Sequence, residues 1–184
     1  MSYFQSMPVT IVVIVICLLI WLRIRRNTQY NVREDIVGKY AMIPLQVERG
    51  EWYRLFTYGF IHVDVYHIFM NLYALYNLGS FLEPLLGSFK FALILFLSIL
   101  GGGFFISRGQ RLTRTIGISG GLYGLLATYF ILLFKLGMFA YPSIRYSLIS
   151  TVIVNAIISF MPNVSMMGHL GGAIVGAILG FFLI

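Results

Sequence analysis

Residues 166–184 read MMGHLGGAIVGAILGFFLI: nineteen positions without Lys, Arg, Asp or Glu, one histidine near the start, and glycines at 172, 176 and 180. As a helix, a run of this length crosses a hydrocarbon core about 30 Å thick. Glycines every four residues strip one helix face of side chains and let a second backbone come close. The stretch 117–136, GISGGLYGLLATYFILLFKL, has the complementary pattern, with Gly117 and Gly121, and Gly120 and Gly124, each four apart. The two segments are expected to be neighbouring helices that meet on their small faces.

The rest of the chain belongs in the same solvent. Of its 184 residues 59% are hydrophobic and 10% charged, whereas a soluble domain carries about 25% charged residues; a water-soluble globule is excluded. The net charge is +7, from 13 Lys and Arg against 6 Asp and Glu. Those bases lie between apolar runs and form no single basic face, so no nucleic-acid partner is expected. The lone cysteine, Cys17, excludes an intrachain disulfide or a cysteine metal cluster. In a bilayer every backbone N–H and C=O needs a partner within the protein, which leaves helices or a closed barrel. These runs are too long and continuous for barrel strands. The expected fold is all-α, with six transmembrane helices at about 7–22, 56–82, 89–106, 117–136, 146–161 and 166–184, in a single membrane domain covering 1–184. Arg23, Arg25 and Arg26 close the first span and no cleavage site follows, so it is read as a retained helix. The long first loop, 23–55, mixes Tyr40, Met42, Ile43, Leu45, Trp52 and Tyr53 with charged residues and is expected to be partly embedded in the interface.

Ionisable groups inside spans are costly and rare, which makes each one a candidate for function. All three histidines, His62, His67 and His169, lie in or beside expected spans. His67 and Asn71 are four apart and share a helix face, while His62 points partly aside. If the two glycine faces meet, Ser119 and His169 come together at one end of the bilayer, because each lies near the start of its helix. A serine beside an imidazole is the minimal activated nucleophile: the ring accepts the hydroxyl proton during attack and returns it to the leaving group. No acid follows Glu83 in the remaining 101 residues, so a Ser-His dyad is expected, its imidazole oriented by packing against Tyr123. His67, Asn71 and the backbone N–H of Ser119 are then the donors for a developing oxyanion. Blander readings exist: a serine between glycines as a packing residue, a histidine bonded only to a neighbour, or three histidines around a metal. No HExxH pattern or carboxylate at ligand spacing accompanies the histidines, so no metal or other cofactor is expected.

Together these residues resemble the rhomboid family of intramembrane serine proteases. The resemblance runs from about Gly50 to Ile184, with the first span in the place of the family's first core helix. It is carried by Trp52-Tyr53-Arg54, by the series His62, His67, Asn71, by Gly117-Ile118-Ser119-Gly120 as the family's GxSG, by Tyr123, and by His169 followed by Gly172 and Gly176. It implies a six-helix rhomboid-like bundle in which Ser119 is the nucleophile, His169 the general base, and His67 and Asn71 oxyanion donors. His62, Tyr123, Arg54, Gly117 and Gly120 take structural or positioning roles. It further implies a water-filled cavity on the long-loop side, contact with membrane lipids, and transmembrane protein substrates cut near the membrane surface at helix-weakening residues. Such a segment must unwind before a serine reaches its peptide bond. The expected setting is the plasma membrane of a prokaryote.

Two features depart from the family pattern. Tyr53, where the family usually has Trp, precedes Arg54, and Trp52 is displaced by one; the loop is expected to dock similarly. Ten of the 13 bases fall in the connections after spans one, three and five, which by the positive-inside rule puts the long loop in the cytoplasm. The family's usual bacterial arrangement, an amino terminus in the cytoplasm, is the reverse and is the one adopted. Candidates for a substrate gate are the second loop, the fifth helix, and Pro162 with Asn163. The alternative function is a catalytically silent relative that binds or escorts transmembrane helices. Silent relatives typically lack the serine or the histidine, and both are present. A transporter is disfavoured because the polar residues cluster towards one end of the bilayer.

Overall fold

The apolar runs satisfy their backbone groups as helices. A computed structural model describes residues 7–26, 30–161 and 164–184, so the gate candidates Pro162 and Asn163 lie outside the described residues. The helices are α1 (Pro8–Arg26), α2 (Tyr30–Tyr40), α3 (Pro44–Glu48), α4 (Arg54–Thr57), α5 (Val65–Leu86), α6 (Ser88–Ser107), α7 (Ser119–Lys135), α8 (Pro142–Ser159) and α9 (Met166–Leu183), with 3₁₀ turns at Tyr58–Phe60 and Met138–Ala140. Among the described residues, the only β pairing is one antiparallel bridge between Met42 and Thr115. Four helices, α1, α6, α8 and α9, are long and apolar enough to cross a membrane, and α7 is apolar but shorter. α5 has 22 residues but is interrupted by His67, Asn71, Asn77, Ser80 and Glu83.

Two helix starts differ by four residues or more from the sequence expectation. Hydropathy alone makes the second apolar run helical from 56, yet its long helix starts only at Val65. Asp64, in an extended conformation, caps α5 by accepting the His67 N–H at 3.0 Å, and residues 56–64 are used for the end of α4, a 3₁₀ turn and an extended link. A capped start outweighs hydrophobic continuity here. α8 begins four residues before 146, at Pro142, a residue pre-shaped for the first helical position.

α6, α7 and α9 pack most closely. A Cβ on Gly172 would run into the Gly120 carbonyl, and one on Gly176 into the Gly124 backbone. Thr128 Oγ1 donates across this seam to the Gly176 carbonyl at 2.9 Å. Lipid tails are as apolar as leucine, so such close packing and interhelical hydrogen bonding hold the helices together. At the start of the same glycine face, the Gly168 carbonyl would lie 2.8 Å from a Cβ on Gly102 of α6 and 3.2 Å from one on Gly120.

α1 is joined to α5 by a buried carboxylate. Glu83, fully enclosed, accepts the Val9 and Thr10 N–H groups at 2.8 and 2.9 Å, the Thr10 hydroxyl at 2.7 Å and the Ser88 hydroxyl at 2.8 Å. The first amides of a helix have no intrahelical acceptor, and a negative group beside them is favoured by the helix dipole. At the same end of the bundle, Lys90 and Lys135 donate to the Leu183 and Phe181 carbonyls that end α9.

The first loop is folded onto the bundle. Arg54, 4% exposed, donates to the Ala41 carbonyl at 2.7 Å and to Glu51 at 2.6 Å, and the Tyr53 hydroxyl donates to Glu51 at 2.8 Å. Met42 and Thr115 exchange backbone hydrogen bonds of 2.9 Å, and the Leu45 N–H donates to the Arg111 carbonyl at 2.9 Å. The loop thus grips the connection that leads into α7. Trp52 takes no part in this anchoring and is 66% exposed.

Two measurements test this architecture. Gly172→Val is expected to lower resistance to unfolding in mixed detergent by about 1–3 kcal/mol, as overpacking does, while Gly38→Ala, whose added Cβ meets nothing within 4 Å, leaves it unchanged or slightly higher. Equal effects at both positions would remove the seam from its proposed place in stability. The second concerns Glu51, whose carboxyl is held below its usual range by the Tyr53 hydrogen bond and then by Arg54. A depressed folded-state pKa stabilises the loop above the unfolded value, and that contribution is lost as pH falls through the folded one. Trp52 emission, followed in a Trp21→Phe background, is therefore expected to shift as pH falls below the ordinary glutamate range, and Glu51→Gln to abolish the step. A flat response in the parent protein would contradict this.

Candidate functional site

The site begins with a glycine that no other residue replaces easily. Gly117 has φ +109°, a region that favours glycine, and its N–H donates to the Tyr58 carbonyl at 2.9 Å. A Cβ there would lie 2.7 Å from His67 Nε2 and 3.3 Å from Asn71 Nδ2. Those two side chains from α5 therefore lie directly over the backbone two residues before Ser119. The turn ends at Ser119, the first residue of α7, so this helix starts two residues later than its apolar run suggests. At that position the first backbone N–H groups have no intrahelical acceptor and carry the positive end of the helix dipole.

His169 is the fourth residue of α9, whose start is capped by Ser165 Oγ accepting the Gly168 N–H at 3.2 Å. With Gly120 and Gly172 in contact, His169 Nε2 lies 3.0 Å from Ser119 Oγ. The Tyr123 ring, one turn along α7 from Ser119, stacks on the imidazole with centroids 3.9 Å apart and planes inclined by 14°. His169 is buried and Ser119 half-buried. This arrangement suits proton transfer from a hydroxyl to an imidazole nitrogen.

The other ring nitrogen, His169 Nδ1, lies 2.8 Å from Ser159 Oγ at the end of α8. Ser159 Oγ also lies 2.8 Å from the Asn155 carbonyl, as does Tyr123 Oη, and the two hydroxyls are 2.9 Å apart. Sequence reasoning missed Ser159 and Asn155. Their signal was the recurrence of Ser147, Thr151, Asn155 and Ser159 every four residues along α8, which places them on one face.

The remaining sequence candidates sit at different distances from Ser119. Asn71 Nδ2 is 2.9 Å from Nε2 of the fully buried His62, leaving one amide hydrogen for the space above Gly117. The His62 and His67 rings meet edge to face at 5.0 Å. Gly120 lies in the α7–α9 seam, and Arg54 acts in the loop, away from Ser119. Among the described residues, no three His, Cys, Asp or Glu side chains are grouped as a metal site requires.

Residues 49–184 match the family model described as Rhomboid domain. The chain is 32% identical over 193 aligned positions to Rhomboid-type serine protease B of Aspergillus fumigatus, covering 97% of this chain and 68% of the fungal protein. It is 32% identical over 145 positions to RHOMBOID-like protein 1 of Arabidopsis thaliana, covering 77% of this chain but only 37% of the plant protein. Putative rhomboid protease YdcA of Bacillus subtilis is 26% identical, over 100% of this chain and 92% of its own length. With its apolar helices and this match over most of its length, the chain is a multi-pass integral membrane protein that belongs to the rhomboid family.

Proposed function

We propose that this protein is an intramembrane serine endopeptidase that cleaves transmembrane segments of other membrane proteins through a Ser119–His169 dyad. The observation that carries the proposal is the 3.0 Å contact between Ser119 Oγ and His169 Nε2. Serine protease names among the relatives support it at the level of the family. In the proposed reaction, Nε2 takes the Ser119 proton as Oγ attacks the carbonyl carbon of a locally unwound substrate segment. The resulting oxyanion is met by the Ser119 N–H, the free Asn71 amide hydrogen and His67. Collapse of the tetrahedral species breaks the C–N bond while His169 gives its proton to the leaving amine, and a water activated by the same imidazole then hydrolyses the acyl-enzyme.

Six spans serve this function: α1, α5, α6, α7, α8 and α9. At 17 residues, α7 measures only about 25 Å, less than the roughly 30 Å of hydrocarbon. A helix this short leaves one end below a membrane surface, and the proposed reaction on a transmembrane segment requires that to be the serine-bearing end. The end-to-end match with the Bacillus protein supports the plasma membrane of a prokaryote as its setting.

Purified protein in detergent is expected to react covalently with a fluorophosphonate probe, and Ser119→Ala and His169→Ala are each expected to abolish labelling. A label that persists in Ser119→Ala would move the nucleophile elsewhere. An inert parent protein would favour a silent relative that only binds transmembrane helices. Asn71→Ala is expected to retain its helical circular dichroism and to cleave a model transmembrane substrate on the order of 100-fold more slowly, as when one oxyanion donor is lost. Unchanged turnover would remove Asn71 from that role.

A further inference from the structure

The dyad has no acidic third member: no carboxylate hydrogen-bonds to His169 among the described residues, and its Nδ1 instead faces a hydroxyl. We propose that Ser159 is a positioning residue for the dyad, accepting the His169 Nδ1–H and so holding the imidazole in the tautomer whose Nε2 is free to take the Ser119 proton. The inference rests on the endopeptidase reading above.

The direction of these hydrogen bonds follows from the one group that cannot donate. The Asn155 carbonyl only accepts, and both Ser159 Oγ and Tyr123 Oη lie 2.8 Å from it. Each hydroxyl has a single hydrogen. If Ser159 directed its hydrogen to His169 Nδ1, its oxygen would face the Asn155 oxygen at 2.8 Å with no hydrogen of its own between them. Nε2 would then carry the ring proton and point it at Ser119 Oγ, leaving the serine an acceptor and its own proton without a base. If instead Ser159 donates to Asn155, its lone pairs face His169 Nδ1 and Tyr123, and a single oxygen–oxygen contact, one of the two that Tyr123 makes, is left without a hydrogen, against two in the other arrangement. The hydrogens then run in one sense, from Ser119 to Nε2, from Nδ1 to Ser159, and from Ser159 to the Asn155 carbonyl. The stacked Tyr123 ring fixes the plane of the imidazole, and Ser159 fixes which nitrogen carries the hydrogen. Unlike a carboxylate, a neutral hydroxyl orients the ring without stabilising the imidazolium by charge, so its loss costs less than that of a triad acid.

The proposal is tested on the full-length protein in detergent micelles, labelled with 15N-histidine. The His169 resonances are identified by their absence in His169→Ala. The parent protein is expected to show His169 protonated on Nδ1; protonation on Nε2 would overturn the proposal without any variant. Ser159→Ala is expected to mix the tautomers and to slow fluorophosphonate labelling of Ser119 about tenfold, the equivalent of one ordinary hydrogen bond. Ser159→Thr, which keeps the hydroxyl, restores both. A labelling rate and tautomer in Ser159→Ala equal to the parent's would sink the proposal. The endopeptidase reading fails separately, if the parent protein is never labelled or if Ser119→Ala still is, and the tautomer measurement stands in either case.

Discussion

Two helices meeting without side chains between them set the geometry of this protein. In lipid there is no hydrophobic drive to bring helices together, and what remains is contact between atoms and an occasional hydrogen bond. Gly120 and Gly172 allow the backbones of α7 and α9 to touch, and the two residues of the dyad are tied to that contact. Ser119 directly precedes Gly120, and His169 lies three residues before Gly172. Their separation is therefore fixed mainly by backbone on two rigid elements, which is how a reacting pair is best held. Any side chain that widened the seam would part oxygen from nitrogen before it unfolded the bundle.

The approach to Ser119 is governed from a different quarter. Its preceding turn is fixed by the Gly117 bond to Tyr58 and by the backbone bridge between Met42 and Thr115. Both partners, Tyr58 and Met42, belong to the segment between the first two long helices. That segment owes its shape to Arg54, which joins Ala41 and Glu51 from a buried position. A loop residue with no contact to the dyad thus influences where the serine stands. Spacing within the pair comes from the helix seam, and the shape of the turn that presents the serine comes from the loop.

Some of this was legible in the sequence because its signals are periodic or stand out against an apolar background. Glycines every four residues indicated which helices adjoin, isolated His67 and His169 were conspicuous for their cost in lipid, and Ser119 was marked by the glycines around it. The start of α5 was not legible, since residues 56–64 carry enough Phe, Ile and Val to read as part of the span and the local capping by Asp64 decides the boundary. The folded loop was hidden for another reason: its decisive bonds, such as Leu45 to Arg111, join residues far apart in sequence and use backbone atoms that every residue has. Ser159 does not stand out because the usual partner of such a histidine is a carboxylate, and serines are common in apolar helices. Recognising a hydroxyl in that place requires knowing how α8 is rotated, which a helix exposed along most of its length does little to announce.

Glu83 bears on how the chain is made as well as on how it stands. The amides of Val9 and Thr10 find their acceptor 74 and 73 residues later in the chain. During synthesis α1 leaves the ribosome long before that carboxylate exists, and until then those two donors have no partner within the protein. Delivery of α5 then completes the earlier helix and gives its own buried acid hydrogen-bond donors in the same event. Insertion of this protein is thus a cooperative act of its first and second long helices, and neither is a finished membrane segment alone.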